Sequence, residues 1–212
     1  MKTIKGIWRF SRVICYTFVC LFQAYTRFKR VDRKEKGRML RYYPTQVLKL
    51  AGVRCSYEGN EPELLHECGL TDTPPAYMVL SNHISWLDIF SLDSQLPSRF
   101  IAKAEIAKWP VFGLIAQQIG TLFINRSSKR AILRINDDIR GALCNCEAVT
   151  IFAEGTTTFG NELLPIKANF IAPACEIGAT VQPVILSYKN KGQPTKRAAF
   201  AGDVTLFGSL WN

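Results

Sequence analysis

Histidine is scarce in this 212-residue sequence, which contains only His66 and His83. The seven cysteines are scattered, and no Cys-x-x-Cys pair occurs anywhere in the chain. Because zinc sites are built from clusters of these ligands, no metal site is expected. An odd number of cysteines, mostly embedded in apolar runs, predicts reduced core residues in a cytosolic redox environment rather than a disulfide framework.

Several familiar motifs are also absent. The chain has no Gly-x-Ser-x-Gly nucleophile elbow, which argues against a conventional serine hydrolase. It has neither a phosphate-binding glycine loop nor a dinucleotide fingerprint, so we expect no bound cofactor. Internal repeats are missing too, and a hydrophobic content of 48% predicts one domain with a full-sized core.

Acidic residues are rare near the N-terminus. Residues 1–54 carry fourteen Lys or Arg against only Asp32 and Glu35, whereas the rest of the chain is slightly acidic. Within this basic region lies an aromatic-rich run free of charge for fourteen residues, 13–26. Spanning a bilayer takes about 20 residues, so a short anchor or an interfacial helix on an anionic membrane surface is predicted. Binding to nucleic acid would leave the apolar run unexplained.

We expect the chain to divide into N-terminal membrane-associating helices over residues 1–52 and an α/β domain over residues 53–212. The periodicity predicts two helices in the first part, over residues 5–28 and 33–51. Pro44 is expected to kink or split the second helix, and Gly52 to end it.

Strand and helix patterns alternate in the second part. Strands are predicted at 53–58, 77–80, 99–102, 121–125, 148–152 and 180–188. Helices are predicted at 85–95, 111–119, 129–146 and 168–177. This alternation predicts an α/β fold with a mostly parallel central sheet flanked by helices, in which sites collect at the carboxyl ends of strands.

His83 and Asp88 stand five positions apart, directly after an apolar run predicted to be a strand. A carboxylate can hold one ring nitrogen protonated and leave the other to take a proton from an alcohol or thiol. This requires His83 to lie in the turn before the next helix, with Ser85 as the N-cap. Taken alone, the spacing favours a structural histidine. A covalent nucleophile, either Ser81, Ser85 or a cysteine, is the alternative mechanism.

Four stretches in order resemble the sequence blocks of the glycerolipid acyltransferase family, which includes the lysophosphatidic acid acyltransferases. The first is Asn82-His83 followed by four residues and Asp88, an HX4D motif. The others are Gly-Thr-Leu-Phe-Ile-Asn-Arg at 120–126, Phe-Ala-Glu-Gly-Thr at 152–156 and Val-Gln-Pro-Val at 181–184. The resemblance covers residues 76 to 188.

The resemblance implies an enzyme that moves a fatty acyl group from acyl-CoA or acyl carrier protein to a lysolipid hydroxyl, with His83 as general base and Asp88 orienting it. The resemblance also implies that the acceptor is 1-acylglycerol-3-phosphate or lyso-ornithine lipid, and we expect the reaction at the cytoplasmic face of the inner membrane. The candidate substrate-binding residues are Glu154, Gly155, Thr156, Lys103, Arg126 and Lys167. A plain strand-to-loop turn and solvated surface charges are the alternatives for these residues.

The sequence departs from the family pattern in places. Thr157 stands where phosphate-accepting members usually carry arginine, and this variant resembles the branch that acylates lyso-ornithine lipids. Ala153 replaces a common proline. The aromatic segment at 109–112 is expected either to pack in the core or to line an acyl tunnel. The chain ends where family members commonly continue, which would leave the domain C-terminally short. A non-catalytic membrane-binding module that kept the fold is therefore the competing hypothesis.

Overall fold

The computed structural model describes residues 2–59, 76–125 and 128–200. The helices are α1 (Lys2–Gln23), α2 (Arg33–Ala51), α3 (Leu87–Gln95), α4 (Phe112–Gln118), α5 (Lys129–Cys144) and α6 (Ala172–Glu176). The strands are β1 (Tyr77–Ser81), β2 (Arg99–Lys103), β3 (Leu122–Ile124), β4 (Val149–Phe152), β5 (Thr180–Val184), β6 (Lys189–Asn190) and β7 (Gln193–Pro194). A π-helical turn, Ala24–Phe28, comes after α1, and short 3-10 turns cover Ala104–Lys108 and Ala168–Phe170.

Five strands form one parallel sheet in the order β3-β2-β4-β1-β5. The last residues of β1 and β4, Ser81 and Phe152, lie side by side in the register. The loops that leave these two strands therefore begin at the same rim of the sheet, at its carboxyl end. The α/β class and the parallel sheet flanked by helices are confirmed.

Helices cover both faces of the sheet because alternate side chains of a strand point to opposite sides. Met78 packs with Ile135 and Ile139 of α5 on one face. Tyr77 and Val79 pack on the other face in the cluster that includes residues of α3. This double burial explains why β1 reads as a continuous apolar run rather than an alternating one.

The N-terminal helices pack on the α3 side of the sheet, where α2 lies against α3 and α1 against α2. The carboxylate of Asp32 caps α2 by accepting the Glu35 N–H at 2.8 Å. Gly52, at φ 78°, ends the helix as predicted. None of the helices in the described ranges is both long enough and apolar enough to cross a bilayer.

Of the two expectations for Pro44, a kink or a split in α2, the split is wrong. The helix runs through this residue because Pro44 is buried with Val47 and Leu48, and such packing outweighs the lost backbone hydrogen bond. The predicted helix at 168–177 is instead a 3-10 turn and then α6. Pro173 lies at the start of α6, where its missing N–H costs nothing.

Two strand predictions also need correction. Residues 53–58 are irregular, because alternation alone supplies no neighbouring strand to pair with. Strand β5 stops at Val184 rather than continuing to Tyr188. Beyond that point the amide of Asn82 takes over the pairing, accepting the Leu186 N–H at 2.7 Å and donating to the Leu186 carbonyl at 3.1 Å.

Candidate active site

The turn between β1 and α3 folds around one buried carboxylate. Asp88 is 0% exposed, and its Oδ2 accepts the backbone N–H groups of Ile84 at 2.6 Å and Ser85 at 2.8 Å. These bonds satisfy donors at the start of α3, where negative charge is favoured. Ser85 adds a bond in which its hydroxyl oxygen accepts the Leu87 N–H at 3.3 Å. The local sequence therefore builds its own carboxylate socket.

The same carboxylate oxygen lies 2.8 Å from Nδ1 of His83. Because an ionised carboxylate only accepts hydrogen bonds, Nδ1 carries the proton in the neutral ring and Nε2 is left to accept one. The imidazole stacks on Phe152 at 3.9 Å between ring centroids and 11° between planes. The side chain remains 20% exposed, so the ring is oriented but still reachable.

Glu154, two residues beyond β4, holds the backbone on both sides of the site. It is 5% exposed, and its Oε1 accepts the His83 N–H at 3.0 Å while Oε2 accepts the Leu164 N–H at 3.0 Å. The His83 carbonyl in turn accepts the Thr158 N–H at 2.8 Å. The geometry therefore gives Glu154 two backbone partners inside the protein.

A cavity of about 750 Å³ opens beside His83. Apolar side chains from the N-terminal helices and from α3 and α4 form much of its wall, for example Phe28, Val47, Ile89 and Phe112. The predicted site residues that line it are His83, Lys103, Gly155, Thr156 and Lys167, with Thr157 beside them. The structure thus brings five of the eight predicted site residues to one apolar cavity, whose lining includes neither Asp88 nor Glu154.

The remaining predicted site residue, Arg126, lies outside the described residues. Gly155 has φ 76°, a left-handed conformation that favours glycine, and its N–H donates to the Phe152 carbonyl at 3.0 Å. Both predicted lysines are exposed at the cavity. Lys103 ends β2, and the Lys167 N–H donates to the Ala153 carbonyl at 3.1 Å.

Two residues of the site were not predicted from the sequence. The Tyr188 hydroxyl donates to Oδ1 of Asp88 at 2.6 Å across a sequence separation of 100 residues. Asp93 lies 2% exposed on α3 at the cavity wall, where burial raises the pKa of its carboxyl group well above the ordinary value. Its Oδ1 accepts the Ser98 N–H at 3.2 Å, which opposes this rise in the pKa. No local pattern marks either residue, because both depend on tertiary contacts.

Within the described part of the chain, no group of three or more His, Cys, Asp or Glu side chains is placed to hold a metal ion. One free cysteine, Cys20 on α1, lies at the cavity wall. Burial raises the pKa of the Cys20 thiol to about 12, so it stays protonated at neutral pH.

The sequence that forms this sheet and site matches a known protein family. A family model described as Acyltransferase matches residues 67–187, more than half of the chain. The chain belongs to the acyltransferase family.

Two similar curated proteins carry different names. The chain is 44% identical over 139 residues to the 1-acyl-sn-glycerol-3-phosphate acyltransferase of Neisseria gonorrhoeae, covering 65% of this chain and 54% of that protein. It is 41% identical over 131 residues to the lyso-ornithine lipid O-acyltransferase of Pseudomonas aeruginosa, covering 62% of this chain and 50% of that protein. The chain thus spans about half the length of these curated relatives.

The fold is shared with a solved structure. The crystal structure of the 1-acyl-sn-glycerophosphate (LPA) acyltransferase PlsC from Thermotoga maritima is similar with a TM-score of 0.61. The match covers 86% of this chain and 72% of that one at 16% sequence identity. At this identity the likeness shows the fold alone.

Proposed function

We propose that this protein transfers a fatty acyl group from an acyl thioester to the free hydroxyl of a lysolipid. One observation carries the proposal: a carboxylate-oriented imidazole lies at the wall of an apolar cavity of about 750 Å³. That volume falls in the range of about 300–1,000 Å³ typical of sites for small ligands. The names of both curated relatives refer to acyl transfer to a lipid, which supports the same reaction class.

In the proposed reaction the lysolipid hydroxyl attacks the thioester carbonyl while Nε2 of His83 takes its proton. Asp88 stabilises the imidazolium that forms, as the aspartate does in a Ser-His-Asp triad, with the substrate supplying the hydroxyl. The tetrahedral intermediate then collapses, the carbon–sulfur bond breaks, and the imidazolium returns the proton to the leaving thiolate. The products are the diacylated lipid and a free thiol, either coenzyme A or acyl carrier protein.

A covalent mechanism is less well supported by the geometry. Ser81 and Ser85 are 4% and 0% exposed, and both hydroxyls make hydrogen bonds to the backbone. The high pKa of Cys20 makes it a weak nucleophile at neutral pH. Direct attack by the acceptor hydroxyl therefore fits the site better.

The cavity wall suits the two parts of a lipid. Trp109 and Phe112 line it, which supports the expectation that the aromatic segment contributes to an acyl tunnel. Lys103 and Lys167 lie at the cavity with Thr156, and such cationic and hydroxyl side chains can bind a polar head group. We propose that these side chains contact the head group, and that Glu154 acts by holding the backbone of His83.

Between the two candidate acceptors, we propose lyso-ornithine lipid. Thr157 lines the cavity at the position where phosphate-accepting members usually carry arginine. A hydroxyl cannot replace the bidentate pairing of an arginine with a phosphate. Curated relatives with both names match this chain at similar identity, so the acceptor must be decided by assay.

We further propose that α1 and α2 lie on the cytoplasmic face of the inner membrane. Five aromatic side chains of this region are about half exposed or more: Trp8, Phe18, Phe22, Tyr25 and Tyr42. Exposed aromatic side chains beside a strongly basic segment are typical of an interfacial helix on anionic lipid. This placement would let a lysolipid reach the cavity that the same helices help to form.

The deciding experiment compares wild type with His83→Ala and with the matched control His66→Ala, which removes the other histidine. Each protein receives a long-chain acyl-CoA or acyl carrier protein with either lysophosphatidic acid or lyso-ornithine lipid. We expect His83→Ala to lose about 10²–10⁴-fold in turnover and His66→Ala to match wild type.

Three outcomes would contradict parts of this proposal. Turnover of lysophosphatidic acid alone would reject the lyso-ornithine assignment. Release of free fatty acid without any acceptor would indicate a hydrolase. A wild-type protein that binds liposomes but transfers no acyl group from any donor would favour the non-catalytic membrane-binding module.

A further inference from the structure

Both oxygens of the Asp88 carboxylate accept hydrogen bonds. Its Oδ2 faces His83 and the two N–H groups of the turn, whereas Oδ1 accepts the Tyr188 hydroxyl at 2.6 Å. A contact of this length is typical of a strong hydrogen bond from a hydroxyl to a charged oxygen. Tyr188 lies just beyond residues 67–187, the part of the chain that the family model matches.

The segment that carries Tyr188 is tied to the same turn. Asn82, the residue before His83, makes two hydrogen bonds to the backbone of Leu186 after β5 ends. Tyr188 comes two residues later, and its carbonyl accepts the Thr195 N–H at 2.9 Å next to the β6–β7 hairpin. Its phenol is therefore delivered to Asp88 by a backbone that is anchored on both sides.

The hydroxyl keeps its proton and donates a hydrogen bond to Asp88. Burial and the negative charge of Asp88 raise the pKa of Tyr188 well above its ordinary value, so the phenol stays protonated at any working pH. A protonated phenol beside a carboxylate donates to it and takes up part of its negative charge. The contact thus acts on Asp88 directly and on His83 only through Asp88.

We infer that Tyr188 is a positioning residue. Its hydroxyl holds the Asp88 carboxylate in the plane that orients His83, and the hydrogen bond takes up part of the negative charge of Asp88. This inference rests on the proposed role of His83 as general base. Without the hydroxyl, the carboxylate is free to pivot about Oδ2, and the ring it orients loses its fixed direction. More negative charge then faces the imidazole and favours its protonated form, which cannot act as a base.

The test is Tyr188→Phe, which removes one oxygen and keeps the ring. Tyr77→Phe is the matched control, because Tyr77 is 1% exposed and lies at the opposite end of β1 from His83. For wild type and both variants, kcat and KM are measured across pH with a long-chain acyl-CoA and the lysolipid that wild type accepts. Thermal unfolding of each protein is measured in parallel.

For Tyr188→Phe we expect kcat to fall about tenfold with KM unchanged, as for loss of an interaction that acts in the transition state. The acidic limb of its activity profile should move to higher pH, whereas Tyr77→Phe keeps the wild-type limb. In an Asp88→Asn background, Tyr188→Phe should add almost nothing, because the two residues act as one unit.

A Tyr188→Phe enzyme with the kcat and pH profile of Tyr77→Phe would overturn the inference. So would fully additive losses in the double variant, since they would mean that Tyr188 acts independently of Asp88. These results are distinguishable from failure of the proposed function. If the proposed function fails, His83→Ala itself should keep wild-type turnover.

Discussion

The turn that carries His83 and Asp88 and the N-terminal helices are built in opposite ways. In the turn, one carboxylate with no exposed surface has four hydrogen-bond partners: His83, Ile84, Ser85 and Tyr188. The N-terminal helices instead present exposed aromatic rings such as Phe22, 64% exposed, and Trp8, 60% exposed. A carboxylate whose hydrogen bonds are all made fixes the positions of the groups around it. An apolar face supplies binding energy but does not fix the orientation of what it binds.

The two regions meet at the cavity, which is lined by His83 on one side and by α1 and α2 on the other. If the proposed function is right, damage to the turn should abolish chemistry and leave membrane binding intact. Damage to the exposed helix face should do the reverse. Variants in the turn, on the helix face and at the boundary between them test this separation.

Asp88→Asn should break the turn and have the largest effect. The amide is uncharged and replaces one of the two acceptor oxygens with an NH2 group that cannot accept, so the imidazole loses its charge partner and Asp88 loses part of the network that orients the ring. We expect about a 10³-fold loss of kcat, measured by acyl transfer at neutral pH, with liposome binding unchanged. Asp137→Asn, an exposed carboxylate on α5, is the control. Activity within a few fold of this control would contradict the role of Asp88.

Phe18→Ser combined with Phe22→Ser should weaken membrane binding by the exposed face of α1. Burying each phenylalanine in lipid contributes about 1.5–3 kcal/mol, so the pair should weaken liposome binding by at least tenfold. Cosedimentation with anionic vesicles measures this. Turnover of detergent-dispersed lysolipid should remain. Leu133→Ser, a residue 67% exposed on α5, controls for loss of any surface apolar group. Equal binding by both proteins would argue against a membrane-facing α1.

Asp93→Asn changes a residue of α3 at the wall of the cavity, where the two regions meet, and should have the smallest effect. Because burial raises the pKa of Asp93 when folded, wild type should lose stability as the pH rises from about 4, where the unfolded carboxyl group ionises. An amide cannot ionise and still accepts the Ser98 N–H, so the variant should be the more stable protein at neutral pH. Thermal unfolding from pH 4 to 8 measures this. Parallel curves for the two proteins would exclude a neutral Asp93.

The parallel sheet and the position of His83 and Asp88 could be predicted because their signals are local. An apolar run before a polar stretch indicates a strand and the turn after it, and the Asp88 socket is built from residues only three to five positions away. The irregular segment 53–58 was mispredicted as a strand because alternation does not reveal whether a neighbouring strand exists. The continuity of α2 through Pro44 depends on packing, which its local sequence does not encode.

The local sequence determined the turn that folds a carboxylate back onto a histidine and most of the helices, because hydrogen bonds over a few residues decide them, and apolar runs indicated the strands of the sheet. Only the tertiary structure decided that Tyr188 reaches Asp88 from 100 positions away and that α1 and α2 close the cavity beside His83. Such contacts arise when distant segments are brought together by burial of apolar surface. The hydrophobic effect acts between segments at any separation along the chain, so these contacts leave no pattern in the local sequence.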